Sequence, residues 1–299
     1  MDAEATSGAD GFASERRSAP DFVSATAQSS ASAGASADTA PPGPLMSGLR
    51  LSFSTLTIIR VGIGPGPLSP RAPGIAMKCA PLVGVVLGAA AAAAGWVLRW
   101  WAQSDLLAAI AAIAVLAVLT RALHLDGLAD TADALGSNRP ADQALQIMKR
   151  SDIGPFGVAA LVLVALLQIG GATVAFAHHR EFVALIAAAA VGRLAVTAAC
   201  TKPIPSARPN GLGAWVAGSV SVRAAVAIGV LLAASCGALG LATDARTAAL
   251  AVTAVPVGLA VALLVLHRCI DRLGGITGDV LGALVESATT AALLVLAFH

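Results

Sequence analysis

Residues 154–177 read GPFGVAALVLVALLQIGGATVAFA. The run holds no charged side chain. A helix rising ~1.5 Å per residue crosses ~30 Å of hydrocarbon in about 20 residues. The stretch therefore predicts a membrane-spanning helix. Outward from it lie six more runs of the same kind, at 79–98, 105–123, 182–201, 222–242, 246–266 and 280–298. Alanine, valine, leucine and glycine dominate them, and small residues let helices pack closely. Composition agrees. Of 299 residues, 57% are hydrophobic and 12% are charged, about half the charge of an ordinary soluble domain. So few polar side chains cannot cover a water-soluble globule. The expected fold is all-α: a polytopic integral membrane helical bundle of about seven transmembrane helices.

Residues 1–45 are rich in Ala, Ser, Thr, Asp, Gly and Pro and show no apolar periodicity. They predict a disordered polar tail ahead of a membrane-embedded catalytic domain, 46–299. The tail lacks the basic start and apolar run of a secretory signal. It holds six acids against two bases, and the remainder holds seventeen bases against eleven acids. A formal net charge of +2 gives no reason to expect a nucleic-acid partner. Cys79, Cys200, Cys236 and Cys269 are far apart and read as small apolar fillers. Gly62, Gly64 and Gly66, with Pro65 among them and no strand ahead, read as a turn rather than a phosphate cradle.

The loops between spans alternate in charge. Bases gather before the first span and in the three larger loops: Arg139, Lys149 and Arg150 in 124–153, Lys202 and Arg208 in 202–221, Arg268 and Arg272 in 267–279. The positive-inside rule puts the tail and these loops in the cytoplasm and the C-terminus outside. The expected location is the cell (inner or plasma) membrane, with the active-site loops facing the cytoplasm. The same loops hold nearly every residue able to do chemistry.

The first group is His124-Leu-Asp126-Gly-Leu-Ala-Asp130-Thr-Ala-Asp133. Spacing of i, i+4 and i+7 puts the three carboxylates on one helical face. Crowded anions need a cation, and oxygen ligands of this kind suit Mg²⁺ bound together with substrate phosphates. Lys149 and Arg150 follow. They suit phosphate neutralisation, although the positive-inside rule alone accounts for them. Lys202 and Arg208 lie in a loop stiffened by Pro and Gly, where Arg208 can meet a phosphate. Asp279 opens the last span, and Glu286, i+7 from it, lies ~10 Å deeper. A carboxylate at that depth is costly and functional by default. Arg193, inside the fourth span, is its expected partner, whether for function or as a structural pair. His178, His179 and His267 receive no role.

These motifs together resemble the cobalamin synthase (adenosylcobinamide-GDP ribazoletransferase) family. The resemblance covers residues 46–299, with the motifs in the family's order. It rests on Pro81-Leu-Val-Gly84, on Leu123 through Asp133, and on Ile147-Met-Lys149 with Ile153-Gly-Pro-Phe-Gly157. It rests equally on Gly192-Arg193, Ala207-Arg208 with Gly211-Leu-Gly213, and Gly275-Ile-Thr277-Gly278-Asp279 through Gly282 to Glu286. There is one departure. Many members read Lys-Asp-Ser-Arg-Ile-Gly where this chain has Lys149-Arg150-Ser151-Asp152-Ile153-Gly154. With the charges exchanged, Arg150 and Asp152 inherit no role.

The resemblance implies a Mg²⁺-dependent membrane phosphotransferase. It would join adenosylcobinamide-GDP to α-ribazole, or to α-ribazole 5′-phosphate, and release GMP. Asp126, Asp130 and Asp133 would hold the metal. Asp279 would hold a second metal or accept the hydroxyl proton, with His124 as the alternative base. Lys149, Arg193, Arg208, Thr277 and Glu286 would meet substrate. The lipid bilayer and other cobalamin-assembly enzymes are the expected partners. Two other readings compete. A CDP-alcohol phosphotransferase also clusters aspartates, but it follows Asp-Gly with Ala-Arg, where this chain has Ala129-Asp130. A transporter would line an ion path with Arg193 and Glu286, and would release no GMP.

Overall fold

The computed structural model describes residues 43–62, 69–150 and 152–298. Among them every regular element is a helix. Helix α1 (Pro44–Leu56) starts on a proline, whose fixed φ and missing N–H suit a first turn. Pro44 and Leu45 therefore belong to a helix and not to the expected tail. Residues 1–42 of that tail lie outside the described residues, as do Gly64 and Gly66 of the glycine-rich turn.

Six helices are long and apolar enough to cross a membrane. They are α2 (Ala72–Ala102), α6 (Pro155–Ala177), α7 (Glu181–Ala199), α9 (Val222–Leu241), α10 (Ala245–Leu273) and α11 (Gly278–Leu296). Helices α2 and α10 run several residues past the predicted spans at both or one end. The expected span 105–123 differs more. Helix α3 (Asp105–Leu119) stops after 15 residues, about 22 Å of rise. Arg121 and Ala122 then take φ 53° each, and α4 (Leu123–Gly136) leaves at 87° to α3. Counted as one broken span, the pair raises the number to seven.

The bend has a physical cause. Helix α4 carries His124, Asp126, Asp130 and Asp133, which hydrocarbon does not accommodate. The Thr120 hydroxyl turns back to the Leu116 carbonyl at 2.9 Å, and the Ala122 N–H donates to the Ala117 carbonyl at 2.7 Å. These bonds satisfy the end of α3 where the ladder breaks. The stretch expected as a loop over 124–153 is thus largely helical: α4, then α5 (Ala141–Ile147).

Helix α7 is buried along nearly its whole length and forms the bundle's centre. Gly84 and Gly88 of α2 lie against it. A Cβ on either would come within 2.6 Å of a backbone Cα, of Ala190 or Ile186 respectively. This is the small-residue spacing that lets membrane helices touch backbone to backbone. The outer surface is the reverse. Leu166 on α6, Leu231 on α9 and Leu264 on α10 are 62%, 67% and 68% exposed. Exposed apolar residues around a core of alanine and glycine are what a lipid-facing bundle requires.

Candidate active site

The site forms where α4 meets the start of α11. Gly127 lies so close to α11 that a Cβ there would sit 2.6 Å from the Asp279 carbonyl oxygen. Gly282 answers from the other side, with His124 Cα 3.1 Å from where its Cβ would be. Two glycines thus let the helices touch. Asp126 and Asp130, on either side of Gly127 in sequence, come beside Asp279. Helix α11 is capped by Thr277, whose hydroxyl accepts the Val280 N–H at 3.1 Å and donates to Asp279 Oδ2 at 3.3 Å. Thr277 therefore orients the Asp279 carboxylate.

Arg208 arrives from a loop pinned to the turn before α11. The Ile276 N–H donates to the Pro205 carbonyl at 2.9 Å, and the Ala207 N–H donates to the Ile276 carbonyl at 3.0 Å. Gly275, at φ 152°, permits this approach. The next helix, α8 (Leu212–Val216), packs Gly213 against Ile276 and Thr277. Arg208 places one terminal nitrogen 4.0 Å from Asp279 Oδ2 and donates from the other to the Leu145 carbonyl of α5 at 2.7 Å. Its Nε is buried without a partner.

The carboxylates are not neutralised by Arg208 alone. Burial, then the charges of Asp126, Asp279 and Asp133, push the Asp130 carboxyl up to about 7, against a smaller opposing pull from Arg208. Among the described residues no three His, Cys, Asp or Glu side chains form a ready-made metal cage. Mg²⁺ commonly takes one or two carboxylates and completes its shell with water and substrate phosphate. An open, over-charged face of Asp126, Asp130 and Asp279 fits that cation.

Asp133 has a structural role beside the one its spacing suggested. It is 7% exposed. Its two oxygens accept the Gly154 and Gly157 N–H groups at 2.7 and 2.9 Å. It caps α6 from a neighbouring helix. The glycines of the Ile153–Gly157 motif leave room for it, because a Cβ on either would strike the carboxylate. Both oxygens are thus turned to α6, while the charge still acts on Asp130.

A second polar layer lies deeper. Arg193 is 3% exposed, with a terminal nitrogen 3.4 Å from His124 Nδ1. His124 is buried too. Burial, then the Arg193 charge, hold its imidazole well below the usual histidine range. The ring is enclosed, with little room to meet an acceptor hydroxyl, and so is a poor candidate for the general base. Arg193 and Glu286 make no direct ion pair among the described residues, although each lies within reach of the other's charge. Glu286 instead accepts from Gln168 Nε2 at 2.7 Å, and the same amide donates to Thr290 Oγ1 at 3.0 Å. Sequence reasoning missed Gln168, although a lone amide midway along an apolar span was the signal for it. Lys149 is exposed just past α5, and no described hydrogen bond or ion pair ties it to the carboxylates.

The sequence model of the cobalamin-5-phosphate synthase family matches residues 48–297. Three similar proteins are each named adenosylcobinamide-GDP ribazoletransferase. The one from Frankia casuarinae is 42% identical over 83% of this chain and 93% of its own length. The one from Stutzerimonas stutzeri is 37% identical over 84% and 97%, and that from Bradyrhizobium diazoefficiens 35% over 83% and 92%. No solved structure matches the chain. The match takes in α4, the Arg208 loop and α11, the elements that build the carboxylate face, and the chain belongs to the cobalamin-5-phosphate synthase family.

Proposed function

We propose that the chain transfers the adenosylcobinamide-phosphate moiety of adenosylcobinamide-GDP to α-ribazole, or to α-ribazole 5′-phosphate, and releases GMP. The carrying observation is the meeting of Asp126, Asp130, Asp279 and Arg208 at one end of a membrane bundle of this family. In the proposed step an acceptor hydroxyl oxygen attacks the phosphorus attached to cobinamide. The bond from that phosphorus to the bridging oxygen breaks, and GMP departs with the oxygen. The hydroxyl proton passes to the Asp279 carboxylate, which Thr277 holds in place. Arg208 stabilises charge on the phosphate oxygens. Asp126 and Asp130 would hold Mg²⁺ together with the substrate diphosphate, leaving Asp279 to take the proton. When bound, the ion would neutralise the diphosphate. Arg193 and His124 act below this layer as a support for α4. We place the site on the cytoplasmic face of the cell membrane, within reach of other enzymes of cobalamin assembly.

The test uses the purified full chain with adenosylcobinamide-GDP, Mg²⁺ and either acceptor, following GMP and the corrinoid product by chromatography. Equimolar GMP and cobalamin, or cobalamin 5′-phosphate, are expected. GMP release at the same rate without acceptor would mean hydrolysis and sink the proposal.

A further inference from the structure

Helix α4 brings Asp126 and Asp130 beside α11, but its far end serves another wall. Leu135 and Asn138, at and just past the end of α4, face Val265, Arg268 and Arg272 of α10 across a cavity of about 290 Å³. The three α10 residues are spaced i, i+3 and i+7 and so share a helical face. The walls are graded. Leu135 and Val265 are apolar, and two guanidinium groups stand beside them.

Two arginines four residues apart repel each other unless something anionic lies between. Among the described residues no carboxylate is within ion-pairing distance of either. The nearby Asp271 turns to His267 at 3.4 Å. Arg272 donates to the Arg139 carbonyl at 3.3 Å, a neutral acceptor that leaves its charge uncompensated. The positive-inside rule accounts for bases at this level. It does not account for a half-open cleft between them, walled on its other side by Leu135 and Asn138.

Depth identifies the anion. Leu264, one turn before Arg268, is 68% exposed and marks the lipid-facing surface. Arg268 stands ~6 Å and Arg272 ~12 Å further along the axis. That is where hydrocarbon gives way to headgroups. The volume lies at the lower limit of small-molecule pockets. It admits a phosphodiester with its first apolar carbons and is too small for a nucleotide-bearing corrinoid. We infer that this cavity binds the headgroup phosphate of an acidic membrane lipid. Arg268 and Arg272 donate to the phosphate oxygens, and the start of an acyl chain lies along Leu135 and Val265. The inference rests on the membrane fold and is independent of the transfer reaction.

The test is lipid retention by the purified full chain, read by native mass spectrometry. Detergent-solubilised protein is incubated with phosphatidylglycerol, phosphatidylcholine, or phosphatidylglycerol plus millimolar inorganic phosphate. Wild-type protein is expected to retain phosphatidylglycerol over phosphatidylcholine, and inorganic phosphate should not displace it. Arg268→Gln with Arg272→Gln should lower retention about tenfold or more, since each base near the surface contributes to acidic-lipid binding. Val265→Trp fills the cavity and leaves both charges, and it should lower retention comparably. If the double variant does not fold, Arg268→Gln alone carries the same reading. Undiminished retention in the arginine variants overturns the proposal. Undiminished retention in Val265→Trp reduces it to surface attraction and also overturns it. Displacement by inorganic phosphate would make this a soluble-phosphate site and refute the lipid assignment.

Discussion

Asp130 and Asp133 sit three residues apart on one helix, and asparagine at each position separates their roles. Burial, and then the like charges around it, raise the Asp130 carboxyl to about 7. Asp130→Asn relieves that repulsion, so membrane insertion and thermal stability should be kept or improved. GMP release should fall by orders of magnitude, because metal-assisted charge stabilisation contributes several kcal/mol at the transition state. Added Mg²⁺ should restore part of the rate. A variant with wild-type turnover and Mg²⁺ dependence would show that the face is only a solvated acidic surface. Asp133→Asn should behave in the opposite way. One of two N–H groups loses its acceptor, at a cost of about 1.5–3 kcal/mol for bonds to a charged group. A thermal melt should show the loss directly, with activity per folded molecule less affected. The clustering of Asp126 with Asp130 was legible because i, i+4 spacing is local. The engagement of Asp133 was not, because its partners lie 21 and 24 residues away and no periodicity encodes that pairing. Gln168 is a similar case, since the lone amide shows in the sequence and its link to Glu286, 118 residues on, does not.

At the scale of elements, the contact of α4 with α11 sets the distance between Asp126, Asp130 and Asp279. Gly127→Val places a branched side chain where a Cβ alone would meet the Asp279 backbone at 2.6 Å. The helices must part. A displacement of about 1 Å at reacting groups can cost ~10²-fold in rate. The expected outcome is an inserted, folded protein with turnover reduced by about that factor. Normal turnover would mean the two helices do not form one site. The elbow between α3 and α4 was half legible. The apolar run ending near Leu119 and the acidic run after it were both plain in the sequence. That a helix continues across the break at 87° was not, because the left-handed conformations at Arg121 and Ala122 fall on residues with no special preference for them.

For the whole molecule, the alternation of bases between loops predicts which side each end faces. A reporter fused after His299 should lie outside the cytoplasm, and one inserted near Arg139 should lie inside. A cytoplasmic C-terminus would mean that the α3–α4 pair does not complete a crossing. The bundle itself was legible from composition, since 12% charge cannot cover a soluble surface. The order of packing was less so. All the apolar runs look alike in sequence, yet α7 is buried along its length and α9 is largely exposed. Which helix occupies the centre is decided by mutual fit, as where Gly84 and Gly88 admit α7.

The contact of Gly127 with the Asp279 backbone bears on how the protein rides in its membrane. Bilayers thicken and thin with lipid composition and temperature, and helices answer by tilting. Side chains joined across a gap would shear as neighbours tilt. Helix α4 is riveted to α11 main chain against main chain, so the two swing as one lever. The spacing of the carboxylates is thereby decoupled from the tilt of the bundle. A change of growth temperature should alter how much protein inserts well before it alters what each inserted molecule can do.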